Sequence, residues 1–156
     1  MKFTKASAKI HDQIIAHYKS KTLQQLRTIQ PRWAFGKNAD QILDYTQTPS
    51  ANLCTILLVN TRDLIQHATF NEVALTSLFT ENLINNFRIA NILSRWEKQL
   101  YVDPPSIFLT QQSQIQFSDG RHRAKTTYML GHKEIPVAVN NVDLEQIMTI
   151  LNPIVK

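Results

Sequence analysis

Apolar residues in the first third of the chain recur at helical spacing. The positions are Ile10, Ile14, Ile15, Tyr18, Leu23, Leu26 and Ile29. Spacings of three and four residues place side chains on one face of a helix, so the pattern predicts one bent or two short amphipathic helices. Pro31 ends them, because proline has no N–H to donate to a helix.

Two further segments of the first hundred residues have a clear pattern. Leu53–Val59 is apolar and rich in β-branched residues, which predicts a buried strand. From about Ser77 to Leu100 the apolar residues return to helical spacing, and this is the longest predicted helix. The pair Pro104-Pro105 ends it, since consecutive prolines cannot continue a helix and push the preceding residue toward an extended conformation.

The next segment predicts two strands followed by a helix. Ile107–Leu109 is short and apolar, and Gln114–Ser118 alternates apolar with polar residues, which is typical of a half-buried strand. A hairpin rich in Gln and Ser joins them, so we expect an antiparallel pair. Asp119-Gly120 then turns the chain into a helix that runs from about Arg121 to Leu130.

One more strand and one more helix complete the predicted fold. Glu134–Val139 predicts a strand that begins or lies at an edge of the sheet, because Pro136 cannot donate to a ladder. A last amphipathic helix ends before Pro153. The order of elements predicts an α+β fold. We expect residues 1–50 to form an N-terminal helical extension and residues 51–156 to form the domain.

Length and charge narrow the class of protein. A chain of 156 residues is long enough for one compact domain with a sizeable core. Lys and Arg number 17 against 12 Asp and Glu, and the net charge of +5 mildly favours anionic partners, with DNA among the candidates. The cations are not gathered in one long block of the kind that makes a nucleic-acid tail.

The apolar runs and the cysteine count bear on the location of the protein. No run reaches the about 20 apolar residues of a membrane span, and the first residues lack the apolar stretch of a secretory signal. We therefore expect a cytoplasmic protein with no membrane partner, with secretion by a route that needs no signal peptide left open. Cys54 is alone, so an intramolecular disulfide is excluded. It is expected to fill the core, with a reactive thiol as the alternative.

Basic residues crowd the point at which the predicted strand turns into a helix. Arg121, His122, Arg123 and Lys125 fall in the first turn and a half of the helix. A helix N-terminus is already electropositive, so each exposed cation there is unfavourable by about 0.3–1 kcal/mol without a counter-ion. A bound anion, above all phosphate, reverses the sign. The alternative is that Asp119 caps the helix and the basic side chains point into water.

Each residue of this junction has a predicted role. Arg121 and Arg123 contact phosphate, because a guanidinium group matches phosphate oxygens and stays charged. Lys125, one turn beyond Arg121, reaches the same anion. Gly120 supplies the backbone shape and a close approach. Asp119 is expected to cap the helix, and the alternative is that it holds Mg²⁺ through water.

Three segments together resemble the ParB/sulfiredoxin superfamily. They are Pro104–Leu109, Phe117–Arg123 and Leu130–Val137. The resemblance spans roughly residues 53–151 and implies a ParB/Srx-like small mixed sheet packed with helices, in which the Gly-x-x-Arg loop binds nucleotide phosphate. It also implies that His122 contacts phosphate and takes part in catalysis. The structural alternative is a ring that packs under the loop.

The branches of that superfamily imply different activities. Sulfiredoxins need a cysteine at the loop position that Arg121 occupies, so reductase chemistry is not expected. Chromosome-partition proteins hydrolyse CTP and carry a DNA reader after the core, for which we expect no room in this chain. The remaining relatives that the chain resembles are plasmid fertility-inhibition proteins with ATPase and DNase activity, free-serine kinases and ParB-like nucleases.

Catalysis needs a carboxylate to orient the attacking group. Glu72 is the candidate, because it follows the first strand, the region from which some of these relatives supply such a residue. Asp63 and Glu81 are alternatives. Each of the three is also typical of a surface acid.

Two functions follow from these predictions. The first is an enzyme that binds ATP or CTP with Mg²⁺ and hydrolyses it or transfers its terminal phosphate, with nuclease activity on DNA as a variant. The second is a non-catalytic adaptor or inhibitor whose residues 1–50 bind a protein partner. In that case Trp33 and Phe35 are candidates for an exposed anchor, and the alternative places them in the core.

Overall fold

The chain folds into helices around one mixed sheet. A computed structural model describes residues 5–41, 53–70 and 73–154. The α-helices are α1 (Lys5–Lys19), α2 (Leu23–Leu26), α3 (Thr61–His67), α4 (Leu83–Glu97), α5 (Arg121–Met129) and α6 (Leu144–Leu151), and a 3-10 helix spans Gly36–Gln41. The strands are β1 (Cys54–Asn60), β2 (Ala68–Thr69), β3 (Ser106–Leu109), β4 (Ile115–Asp119) and β5 (Glu134–Asn140). The predicted α+β class is confirmed. Among the described helices, none combines the length and the apolar character that a membrane span requires.

The sheet has the strand order β1-β5-β3-β4-β2. The pairs β1/β5 and β3/β4 are antiparallel, whereas β3/β5 and β2/β4 are parallel. β5 lies inside the sheet, and its residues Ile135–Val139 are all buried. Such a continuous apolar run is what a strand covered on both faces requires.

The prediction that Pro136 marks an edge strand or a strand start was wrong. Pro136 lies opposite Leu58 in the β1/β5 register, inside an interior strand. Pairing of β5 with β3 begins only at Ala138, whose N–H donates to the Pro105 carbonyl at 2.8 Å. Alternate residues of a strand direct their nitrogens to the same side. The nitrogen of Pro136 therefore faces the β3 side before that ladder begins, so its missing N–H breaks no ladder bond.

Helix α4 begins later than the apolar pattern predicted. The pattern started at about Ser77, but the helix starts at Leu83, after the N-cap Asn82. The Asn82 side chain accepts a hydrogen bond from the Asn85 N–H at 3.0 Å. Buried Asn86 holds the preceding segment, because its side chain both donates to the carbonyl oxygen of Thr80 and accepts from its N–H. The spacing of apolar residues does not report such polar contacts, which explains why the predicted start of α4 was several residues too early.

The N-terminal segment shares the core of the rest of the chain. Trp33 is buried, and its ring packs edge to face on Trp96 of α4, with the centroids 5.4 Å apart. The Trp96 indole N–H donates to the Arg32 carbonyl at 3.1 Å. Backbone hydrogen bonds of 2.9 Å join Val102 to Arg32 and to Ala34. Trp33 is therefore a core residue rather than an exposed anchor.

Two further contacts tie this segment to the sheet domain. The Tyr18 hydroxyl donates to the Glu97 carboxylate at 2.9 Å, and burial together with that carboxylate raises the pKa of Tyr18 to about 12. His132, which follows α5, is hydrogen-bonded to the Ile29 carbonyl at 3.2 Å. The division at residue 50 stays a prediction, since residues 42–52 lie outside the described ranges.

Cys54 is half-buried at the start of β1, and burial raises the pKa of its thiol. A raised pKa keeps the sulfur protonated, whereas reactive cysteines have a lowered pKa. The described surroundings therefore favour the packing role that the sequence predicted.

Truncating Trp33 tests whether the N-terminal segment folds with the domain. We expect Trp33→Ala to lower the free energy of unfolding by about 3–5 kcal/mol, because it removes a large buried ring and its partner contact with Trp96. Ile10→Ala is the control, since Ile10 is 63% exposed and its loss should change stability by no more than about 0.5 kcal/mol. Urea unfolding followed by circular dichroism measures both. Equal midpoints for the two variants would contradict the shared core.

Candidate functional site

Gly120 turns the chain from β4 into α5 in a backbone conformation that suits glycine. Its φ is +91° and ψ is 17°, in the left-handed region. A Cβ atom at this position would lie 2.8 Å from the Cα of Pro105 and 3.0 Å from the guanidinium carbon of Arg123. The backbone shape predicted for Gly120 is present, and the close neighbour that the structure shows is the backbone of Pro105.

The N-terminus of α5 has no side-chain cap. Gly120 occupies the N-cap position, and the first turn contains no acidic residue. The prediction that Asp119 caps the helix was wrong. Asp119 is the last residue of β4 and lies one residue before the N-cap position. Its carboxylate instead forms an ion pair with the Arg123 guanidinium, with 2.8 Å between Oδ2 and Nη2. Gly120 has no side chain that could cap the helix, and the guanidinium group of Arg123 lies beside it instead.

Arg123 is the best-anchored cation of the junction. Its side chain is 15% exposed, and its Nη1 donates to the carbonyl oxygen of Asp103 while Nη2 pairs with Asp119. These two contacts fix the plane of the guanidinium beside Gly120. A planar group held in this way is suited to bidentate contact with oxyanions.

A cleft of about 410 Å³ lies between this junction and α4. The lining residues are Phe87, Arg88, Asn91, Ile92, Arg95, Val102, Asp103, Asp119, Gly120, His122 and Arg123. Positions 88, 91, 92 and 95 follow one another at intervals of three, one and three residues, so they form one stripe along α4. The cleft thus has two walls, one from the predicted motif and one from a helix that precedes it in the chain.

The α4 wall brings two cations that the sequence analysis did not single out. Arg88 is exposed. Arg95 is half-buried, and its Nε and Nη2 donate to the Tyr101 carbonyl at 3.0 and 2.9 Å. With Arg123 these make three arginines in the lining, against Asp103 and Asp119. The charged side chains of the lining therefore sum to a net positive charge.

His122 contributes a neutral ring to the same cleft. The side chain is 6% exposed, and its Nε2 lies 2.8 Å from the Oδ1 of Asn85. Burial lowers the pKa of His122 to about 4, with further lowering from the nearby charges of Arg88, Arg121, Lys125 and Arg123. The imidazole is uncharged at neutral pH. The ring is buried against Asn85 and forms part of the cleft wall, and its contact with phosphate stays a prediction.

Arg121 and Lys125 are not among the residues that line the cleft. They lie one turn apart on α5, and each is about 200° around the helix axis from Arg123. Lys125 is 1% exposed, and burial lowers the pKa of its ammonium group. Their contact with an anion stays a prediction that the cleft does not support.

Of the predicted catalytic carboxylates, those that the structure describes do not line the cleft. Glu72 lies outside the described residues. Asp63 and Glu81 are described but do not line the cleft, whereas Asp103 does. The prolines that follow Asp103 predicted only the end of a helix. The signal for Asp103 was its position directly before Pro104, where the first segment of the family resemblance begins.

Comparison of the chain with protein-family models, with curated proteins and with solved structures finds no match. The likeness to the ParB/sulfiredoxin superfamily therefore stays a resemblance of short segments.

Replacing Gly120 tests the backbone requirement at the junction. We expect Gly120→Ala to destabilise the protein by about 2 kcal/mol or more, because the new methyl group meets backbone and the positive φ is strained. Gly36→Ala is a matched control: Gly36 also has a positive φ of +58°, but a Cβ there meets nothing within 4 Å. Urea unfolding measures the difference, and equal losses in the two variants would contradict the close approach at Pro105.

Acid should destabilise the protein through His122. The unfolded imidazole has a pKa of 6.5 and the folded one about 4, so between these values the unfolded chain binds a proton that the folded chain does not. Stability therefore falls as the pH drops through this window, by at most about 3 kcal/mol for this group.

The His122→Gln variant isolates that contribution, because burial also lowers the pKa of His132 and acts in the same direction. We expect the loss of unfolding free energy between pH 7 and pH 5 to be smaller in the variant than in the wild type. The same pH dependence in both proteins would refute a neutral, buried His122.

Proposed function

We propose that this cleft binds the phosphate groups of a nucleoside triphosphate, ATP or CTP, and that the protein hydrolyses it or transfers its terminal phosphate with the help of Mg²⁺. The observation that carries the proposal is the N-terminus of α5, which lacks a side-chain cap and borders a cleft lined by Arg88, Arg95 and Arg123. Backbone N–H groups and guanidinium groups are the donors that phosphate oxygens need.

The lining also suits the uncharged part of a nucleotide. Phe87, Ile92 and Val102 border the same cleft as the arginines. A nucleoside presents an apolar base face next to its charged phosphates, so a site of mixed character supports a nucleotide more than inorganic anions alone. The volume of about 410 Å³ lies within the range of small-molecule sites, about 300–1,000 Å³.

The cleft can supply part of the coordination of Mg²⁺. Asp103 and Asp119 both line it, and Mg²⁺ is commonly held by one or two carboxylates together with substrate phosphates. Within the described ranges, no group of three or more His, Cys, Asp or Glu residues is placed to hold a metal. The ion would therefore need the phosphates as ligands, and when bound it would neutralise part of their charge.

His122 and Asp103 are the catalytic candidates that the cleft supports. A neutral imidazole at physiological pH can accept a proton from an attacking hydroxyl group or water. Asp103 can orient such a nucleophile, which is the role assigned to Glu72 on sequence grounds. Nuclease action on DNA remains a variant of the proposal, because a phosphodiester offers the same oxyanion to the arginines.

The adaptor alternative finds less support. Trp33 and Phe35 were its candidate anchors within residues 1–50, but Trp33 is buried and Phe35 packs against the core. In residues 9–38, where side chains are described, no Trp, Tyr or Phe is exposed. A protein partner for this segment would have to bind through other residue types.

Titration with nucleotides tests the proposal. We expect isothermal calorimetry to show binding of ATP or CTP in the presence of MgCl₂, and Arg88→Ala to weaken it about 10–100-fold through loss of a charge-assisted contact. Lys98→Ala is the matched control, since it removes the same charge from an exposed site just after α4, outside the cleft. Release of radiolabelled phosphate then measures turnover, and DNA cleavage measures the nuclease variant.

Two outcomes would end the proposal. One is a folded wild-type protein that binds no nucleotide with or without Mg²⁺. The other is equal affinity in the Arg88→Ala and Lys98→Ala variants. Arg121→Ala shows separately whether Arg121 reaches the ligand, as its sequence position predicted.

A further inference from the structure

The contact between His122 and Asn85 defines where the imidazole proton lies. The Nε2 of His122 is 2.8 Å from the Oδ1 of Asn85. An amide oxygen only accepts hydrogen bonds, so Nε2 must donate. In a neutral imidazole the other nitrogen, Nδ1, then carries the lone pair. The ring in the cleft wall therefore has one acceptor, at a known atom.

Most charged groups near the His122 ring are cations, which donate hydrogen bonds, so the acceptor at Nδ1 stands out among them. The positive charges of Arg88 on α4 and of Arg121, Arg123 and Lys125 on α5 all act on this ring. Asp103 and Asp119 line the same cleft, with Asp119 paired to Arg123. Guanidinium and ammonium groups can only donate. These cations and the burial of the ring disfavour a second proton on it, so Nδ1 keeps its lone pair at neutral pH.

We propose that Asn85 is a positioning residue that holds the proton of His122 on Nε2, and that His122 Nδ1 thereby selects anions that still carry an O–H group. The inference rests on the proposed phosphate site and applies to the inorganic phosphate that hydrolysis of a nucleotide would release, because the phosphates of a Mg²⁺-bound nucleotide are largely deprotonated near neutral pH. Near neutral pH phosphate bears a proton that it can donate to Nδ1, whereas sulfate of the same size and shape bears none. The lone pair of a sulfate oxygen beside Nδ1 would repel the lone pair of Nδ1. No hydrogen bond would form, so Nδ1 would be left without a donor.

The tautomer can be observed without any ligand. We expect ¹⁵N NMR of the imidazole of His122 at pH 7 to show a protonated Nε2 and an unprotonated Nδ1. Asn85→Ala should allow a mixture of tautomers, because the acceptor that fixed the proton is gone. Asn91→Ala is the control, since Asn91 lies on the same helix and lines the same cleft. A proton on Nδ1 in the wild type would overturn the inference even if the Asn85 variant failed to fold.

Competition between two inorganic anions tests the selectivity. We expect wild-type protein to bind phosphate at least about ten-fold more tightly than sulfate at pH 7, as an unsatisfied acceptor predicts. The ratio should fall toward one in Asn85→Ala and persist in Asn91→Ala. Asn85→Asp should also lose it, because a carboxylate beside Nε2 favours the charged ring, in which both nitrogens donate.

The outcomes separate this inference from the proposed function. Binding of both anions with equal affinity, or an unchanged ratio in Asn85→Ala, overturns the selectivity alone. Binding of neither anion to folded wild-type protein overturns the phosphate site itself, and the inference with it.

Discussion

Helix α4 packs one face into the hydrophobic core and lines a polar cleft with the adjacent face. Ile89, Leu93 and Trp96 are buried in the core, while Arg88 and Arg95 border the cleft. Each of these core residues lies one or two positions from one of the two arginines. The core-facing stripe and the cleft-facing stripe therefore run side by side along the helix. Anchoring of the helix by the core therefore fixes the cleft wall, and a shift of α4 would move both together.

The strongly periodic elements could be predicted from sequence, and their polar ends could not. The alternation before Ser118 and the turn at Asp119-Gly120 identified β4 and the start of α5. The start of α4 was missed, because Asn82 and Asn86 determine it through hydrogen bonds to nearby backbone. The interior position of β5 was missed as well. Pro136 is tolerated there because β3 begins to pair with β5 only at Ala138, and the sequence does not show where that pairing begins.

The candidate site was predictable only where it is contiguous in sequence. The junction from Asp119 to Arg123 could be found from its charges, but the α4 wall comes from residues about thirty positions earlier. Arg88 and Arg95 did carry a signal, since a spacing of seven places two cations on one face of an amphipathic helix. Only the packing of α4 against α5 shows that this face meets the junction. The assumption that all four basic residues share one ligand also neglected helix geometry, which directs Arg121 and Lys125 away from Arg123.

The cations near the start of α5 are accommodated in three different ways, and the differences indicate where a ligand would act. Lys125 is buried with a lowered pKa, and His122 stays neutral. Arg123 cannot lose its proton, so it is compensated by the Asp119 carboxylate. Of these three arrangements the ion pair is the most exposed, since the Asp119 side chain is 42% exposed whereas His122 is 6% and Lys125 1% exposed. An incoming phosphate would meet Arg123 already oriented by the Asp103 carbonyl and could displace Asp119 from it, which would release that carboxylate toward a metal ion. Until a ligand binds, the ion pair between Asp119 and Arg123 would keep the Arg123 guanidinium group in place.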